Sequence, residues 1–315
     1  MPPEVTAVIT THARPAHVYD ALASVQAETY ESIEIVVVDD GGSFVAPSDD
    51  SGRPVRVVSG ASLGVARARN LGLGAARGEF LIFLDDDDVA LPHRIASLLR
   101  EARLHDASLC FGMTRRVTED GTPVLADVPT HGIAAGPVGF CDLLACAPHI
   151  NAVLVRTDVL RAVGGFDTDA DHFDEWSAWL RIADRGAAIR RVANTVAEWR
   201  IHPAGLSGRV LQNGAMKARL LALFERLQPD LSSENAVAVA AAGRIVADAP
   251  IVTYDDYADV MANARQALHA QGAVERISEV GGMGLPARAQ ALFVNLEEGR
   301  KSLSSAHGEL PRPSS

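Results

Sequence analysis

Apolar residues along the first hundred positions come in short, nearly unbroken runs separated by stretches with helical spacing. VTAVIT (5–10), IEIVVV (33–38) and FLIFL (80–84) are β-branched or aromatic almost throughout, which predicts strands buried on both faces. Pro15 suits the first turn of a helix reaching Ala27. A second helix is expected over 64–76, and a third from Pro92 through Leu104. This alternation predicts an α/β fold with a mostly parallel sheet flanked by helices.

Farther on, 107–117 reads as a strand followed by a turn at Glu119–Pro123, and the Gly- and Pro-rich 126–140 as a loop. A strand at 151–156 and a short helix at 157–163 precede the Gly164-Gly165 break. HFDEWSAWLRIADRG has the spacing of an amphipathic helix closed by Gly186, with Trp176, Trp179, Leu180 and Ala183 on one face. Aromatics so spaced are read as core. Residues 196–202 alternate like a strand, with Glu198, Arg200 and His202 on one side. From about 209 the text becomes Ala- and Leu-rich, predicting a C-terminal helical extension (214–228, 235–248, 255–270, 286–302). A polar, Pro-rich end at 307–315 reads as a disordered tail.

A net charge of −11 argues against nucleic-acid binding, which needs a basic footprint. Cys110, Cys141 and Cys146 lack zinc-ligand spacing and read as reduced thiols. Neither a signal-peptide pattern nor an apolar run of bilayer length is seen, so a cytoplasmic protein is expected, with peripheral membrane contact left open.

The three strong strands end in polar residues: Thr10-Thr11-His12, Asp39-Asp40 and Asp85-Asp86-Asp87-Asp88. Ligands of open α/β sheets bind beyond the carboxyl ends of strands, so three runs direct polar groups to one rim. Four adjacent aspartates repel one another, and their place straight after a buried strand favours a site over a solvated charge run. Asp85 and Asp87, two apart, could present oxygen ligands to one Mg²⁺ or Mn²⁺. No GxGxxG and no GxxxxGK[ST] occurs, so phosphates would fall to a metal and to arginines. Arg67 and Arg69 are candidates, although a solvated helix face explains their spacing equally well.

VITTHARP, IVVVDDGGS, GVARARNLGLGAARGEFLIFLDDDD, GGFD, DEWSAWLR and WRIHPAGLS together, in this order, resemble inverting glycosyltransferase family 2, over roughly residues 4–208. That resemblance implies a GT-A domain over 1–208, with a nucleotide-sugar part (about 1–106) and an acceptor part (about 107–208), and a helical subdomain over 209–306. It puts Thr10, Arg14 and Asp39 in the nucleoside pocket, with Thr11, Asp40, Arg67, Arg69, Asp85 and Asp86 as further donor contacts. Asp87 would be the direct metal ligand of a DxD motif, joined by Asp85 and His202. The family's Glu-Asp pair stands reversed here as Asp174-Glu175, so position matching names Glu175 the catalytic base and leaves Asp174 a rival. Ala61-Ser62 replace a Glu-Asn common in the family.

The implied reaction is metal-dependent transfer from a nucleoside-diphosphate sugar, UDP- or dTDP-linked, to an unidentified hydroxyl acceptor in polysaccharide, glycolipid or other glycoconjugate biosynthesis. Homo-oligomerisation through the C-terminal helices fits the same reading. Three rivals remain: nucleotidyl transfer, for which the first turn lacks a basic Gly-rich loop; phosphohydrolase chemistry, which leaves VVVDDGGS unexplained; and a catalytically impaired nucleotide- and metal-binding scaffold, which the reversed pair favours.

Overall fold

A computed structural model describes residues 2–47, 52–124, 133–170, 173–201, 216–249, 251 and 260–270. Residues 1–268 form one compact unit, and 269–315 a second of which only 269 and 270 are described. In chain order the elements are β1 (Val5–Thr11), α1 (Pro15–Gln26), β2 (Ile33–Asp39), β3 (Val55–Ser59), α2 (Val65–Ala75), β4 (Phe80–Asp85) and β5 (Val89–Ala90). There follow α3 (Arg94–His105), β6 (Leu109–Val117), β7 (Gly136–Pro137), α4 (Phe140–Ala145), β8 (Val153–Arg156), α5 (Thr157–Ala162), α6 (Asp174–Asp184) and β9 (Ile189–Arg200). Two longer helices, α7 (Met216–Leu227) and α8 (Ser233–Asp248), come after the strands.

One sheet runs β3-β2-β1-β4-β8-β6-β9-β5, with β7 beside β9. From the pairings, β3, β2, β1, β4, β6 and β9 share one direction, while β8, β5 and β7 oppose it. This is the expected mostly parallel α/β sheet. β3 was not expected: VRVVS is short, polar at its second position and only partly buried. β9 is longer than the expected 196–202, and β7 begins inside the expected loop.

Strand side chains alternate between faces, and here the alternation sorts the core in two. Val5, Ala7 and Ile9 of β1, Ile33, Ile35 and Val37 of β2, and Phe80, Ile82 and Leu84 of β4 pack on α1 and α3. Val8, Val36, Val38, Leu81 and Phe83 face the other way, onto α2, α4 and α6. α2 lies close against β1, for a Cβ at Gly72 would fall 2.4 Å from Val8 Cγ1.

Trp176 and Trp179 are fully buried, as expected of core residues, donating their indole N–H groups to Leu143 O (2.7 Å) and Pro148 O (3.2 Å). Gly186, at φ +73°, follows α6 as expected. The second core continues through Leu220, Leu223 and Phe224 of α7 and Val239, Ala242 and Val246 of α8. Phe224 meets Trp176 edge-on, with ring centroids 5.9 Å apart. The compact unit therefore runs through α7 and α8, and the expected division at 208/209 does not coincide with a break in packing. The expected stretch 286–302 and the tail lie outside the described residues. Cys110 and Cys146 are buried and, with Cys141, unbridged. Among the described residues no helix is long and apolar enough to cross a membrane.

Candidate active site

Strand parity carries past the last apolar residue of each strand and decides where the polar ends go. Asp85 continues the Leu81–Phe83 side of β4 and faces α2 and α6; it accepts two bonds from Arg69 Nη2 of α2, at 3.0 and 3.2 Å. Thr10, on the same side of β1, donates to Asp85 Oδ1 at 3.4 Å. Asp86 goes to the opposite side, where Thr11 Oγ1 donates to it at 2.7 Å and Arg14 Nη2 lies 2.9 Å away. Asp87 pairs with Arg14 Nη1. Asp88 is buried and accepts from Asn151 Nδ2 and from Arg200 N, the latter at 2.7 Å. The four mutually repelling carboxylates are thus spread over Arg69, Arg14 and Asn151, with Arg14 shared by Asp86 and Asp87.

The expectation that Asp85 and Asp87 together face one cation meets a different arrangement, because the strand ends at Asp85 and the chain turns. Arg69 holds Asp85, and Arg14 holds Asp87. Among the described residues no cluster of three or more His, Cys, Asp or Glu side chains is gathered as a metal cage, and His202 lies outside them.

β2 shows the same parity. Asp39, on the side of Ile35 and Val37, accepts from Gly41 N (3.2 Å) and Phe44 N (2.8 Å), closing the turn after the strand. Asp40 points toward α2 and accepts from Leu63 N (2.8 Å) and Gly64 N (2.9 Å). Asp40 therefore suspends the loop, containing Ala61 and Ser62, that leads into α2. The rim is tight here: a Cβ at Gly41 would fall 2.4 Å from Ala13 N.

Arg69 is the hub. It is 4% exposed, and besides Asp85 it donates from Nη1 to Asp174 Oδ2 (2.9 Å) and Glu175 Oε2 (3.3 Å), with the Phe166 ring centroid 6.0 Å from its guanidinium carbon. Its terminal nitrogens are committed to carboxylates, so the expected phosphate contact gives way to an internal clamp. Arg67, one helical step away, is exposed and reaches only Leu63 O at 3.5 Å. Asp174 and Glu175 open α6, where the helix dipole favours negative charge.

Charge and burial sort the carboxyl groups. Burial would raise Asp85, but Arg69, His149 and Arg14 outweigh it and hold the group below its ordinary value. Burial pushes Asp86 up to about 6 despite its bond from Thr11. Burial, with Asp87 and Asp85 nearby, raises Asp88 well above the carboxylate range. For Glu175, burial first and neighbouring Asp174 second push the group up to about 8 against the pull of Arg69.

Two residues of this site escaped the sequence. Asn151, fully buried, accepts from Asp85 N at 2.9 Å while donating to Asp88, so one amide ties both ends of the aspartate run. His149 accepts from Asn151 N (3.4 Å), stacks on Trp199 (4.9 Å between centroids) and acts electrostatically on Asp85. The only signal was HIN immediately before an apolar strand.

Residues 6–127 match the family model described as Glycosyl transferase family 2. S. aureus TarS, solved with UDP-GlcNAc, superposes with a TM-score of 0.61 at 15% identity, over 77% of this chain and 72% of that one. Over residues 6–127 the chain is similar to family 2 glycosyltransferases, and its fold is the GT-A fold. The chain is also similar to the mannosyltransferase PcManGT of Pyrobaculum calidifontis, solved with GDP-Man and Mn²⁺, with a TM-score of 0.56 at 16% identity, over 95% of this chain and 80% of that one. The succinoglycan biosynthesis protein ExoO of Rhizobium meliloti is 31% identical over 123 residues, 38% of this chain and 35% of that protein. The first curated relatives are matched over 35%, 66% and 30% of their own lengths, so the chain spans less than two thirds of each.

Proposed function

We propose that the domain transfers a sugar from a nucleoside-diphosphate sugar to an acceptor hydroxyl with inversion, in polysaccharide or other glycoconjugate assembly. The observation that carries this reading is the convergence on one sheet rim of Thr10, Thr11, Arg14, Asp39, Asp40 and the 85–88 aspartates with the α6 carboxylates. Asp39 and the turn it closes would face the base, and Arg14 the diphosphate. Asp174 and Glu175 are the acid–base candidates because they adjoin the same rim through Arg69. A carboxylate there would take the acceptor hydroxyl's proton while its oxygen attacks the anomeric carbon from the side opposite the leaving diphosphate. One displacement inverts the centre, and no covalent intermediate is needed.

A divalent cation fits this donor set. Asp87 offers carboxylate oxygens at the rim, and its partner Arg14, paired also with Asp86, has a side chain 40% exposed. Hard oxygen donors suit Mg²⁺ or Mn²⁺, which bind through one or two carboxylates plus substrate phosphates. Asp87 would hold the ion, with Asp85 and His202 as further candidates; when bound it would neutralise the departing diphosphate. UDP- and dTDP-sugars are the donors proposed first, with GDP-sugars added by the PcManGT likeness.

Thermal shift with UDP, dTDP and GDP and their sugars, each with and without Mn²⁺, tests the reading. A ligand bound only by the folded state raises its apparent stability. Stabilisation by one nucleotide series that needs Mn²⁺ and is lost in Asp87→Ala is expected. Silence across the panel from folded protein sinks the assignment.

A further inference from the structure

Asp174 and Glu175 are adjacent on α6 and share one cation, yet they are held differently. Asp174 is 2% exposed and lies 2.9 Å from Arg69 Nη1, whereas Glu175 is 3.3 Å away with a side chain 20% exposed. The cation is held from both sides: its other terminal nitrogen makes two hydrogen bonds to Asp85, and it is buried on a helix whose entry loop hangs from Asp40. We propose that Arg69 is a positioning residue that holds Asp174 as its closest carboxylate partner and thereby leaves Glu175 as the carboxyl that takes up and releases the proton.

Charge counting supports this division. Arg69 with three ionised carboxylates would leave a net charge of −2 in a buried cluster; one proton reduces it to −1. Desolvation disfavours the charged form most where the compensating bond is weakest. Asp85 accepts two bonds from Nη2 and Asp174 the shortest bond from Nη1, while Glu175 has only the longest, so the proton falls to Glu175. The groups facing Glu175 are Asp174 on its own helix and Arg69 on α2, with Asp85 of β4 beyond the guanidinium. Glu175 is also the better exposed of the pair and the one able to meet an incoming hydroxyl. On the glycosyl-transfer reading, Glu175 first gives up its proton to solvent. The ionised carboxylate then takes the acceptor's O–H proton as the acceptor oxygen bonds to the anomeric carbon. In the same displacement the nucleoside diphosphate leaves with the electron pair of the broken C–O bond, and Arg69 holds Asp174 in place throughout. The proposal borrows only the word base from that reading; the proton's location stands on the cluster itself.

The test needs no substrate. Protein labelled with ¹³C at the glutamate δ-carbon, kept metal-free with chelator, is titrated by NMR, and Glu175 is assigned as the resonance missing in Glu175→Gln. Its midpoint is expected well above the ordinary glutamate range of about 4.3. In Asp174→Asn the neighbouring negative charge is gone and Arg69 is left to Glu175, so the midpoint should fall by about one pH unit or more. Arg69→Gln should move it upward, and Arg69→Lys should restore part of that shift by returning the charge without the fork. Circular dichroism checks folding, and Arg69→Lys serves where the glutamine variant does not fold. An ordinary midpoint in the parent, or one unmoved by Asp174→Asn, overturns the proposal. The predicted shifts together with no nucleotide response in the thermal panel would sink glycosyl transfer and leave the role of Arg69 standing.

Discussion

Asn151→Leu examines the joint between the aspartate run and the sheet. Leucine keeps asparagine's branched skeleton with bulkier methyl groups in place of the oxygen and amide nitrogen, so the fully buried position stays filled and no cavity opens. What disappears is polar: the acceptor for Asp85 N at 2.9 Å and the donor to Asp88 Oδ2. Each buried group stripped of its partner costs about 1–3 kcal/mol, so the pair amounts to about 2–6 kcal/mol. For a compact unit of this size that is a melting point lower by roughly 5–15 °C. Asn151→Asp, equally isosteric, should be worse, since a carboxylate cannot donate to Asp88 and adds charge beside it. Thermal and urea unfolding followed by circular dichroism measure both. A leucine variant within about 1 kcal/mol of the parent would refute the claim that this amide carries the run.

Three further outcomes follow. Burial first, against Arg94, a backbone N–H and Arg53, lifts Glu28 to about 7, and Asp86 sits at about 6; the folded state therefore binds protons that the unfolded chain has lost. Stability should fall as pH rises from about 4.5 through 7, and Glu28→Gln should remove roughly 2–4 kcal/mol of that fall; equal slopes in urea unfolding between pH 5 and 8 would contradict it. Gly72→Val puts a Cβ 2.4 Å from Val8 Cγ1 and adds methyls beyond it, so α2 must shift from β1 at a cost of about 1–3 kcal/mol or more, read as a lower melting point. Asp40→Ala frees the N–H groups of Leu63 and Gly64. It should cost about 1–2 kcal/mol by urea unfolding and speed hydrogen exchange at those amides; unchanged exchange would show that the loop is held by something else.

What the sequence disclosed tracks how local each cause is. β1, β2 and β4 were legible because strands buried on both faces need unbroken apolar runs, and their polar ends marked the rim. β3 was hidden by Arg56 and by its shortness. Arg69 was read as a phosphate ligand because spacing on a helix says only that a cation stands there; its partners Asp174 and Glu175 lie 105 and 106 positions away and arrive through tertiary packing. Asn151 carries no periodic signal, since its importance comes from touching Asp85 and Asp88 at once. Met216–Leu227 and Ser233–Asp248 were legible as helices, but their union with the Trp176 core depends on which faces meet.

The two-sided sorting of β4 makes the site sensitive to frame as well as to identity. Deleting one residue between Phe80 and Leu84 would leave every aspartate in the chain, yet it would turn Asp86 toward Arg69 and carry Asp85 back toward the α1 side. A protein so altered would pass any inspection for motifs while its charges met the wrong partners. For this domain, a run of four identical letters has four separate meanings, each assigned by counting from the strand that precedes it.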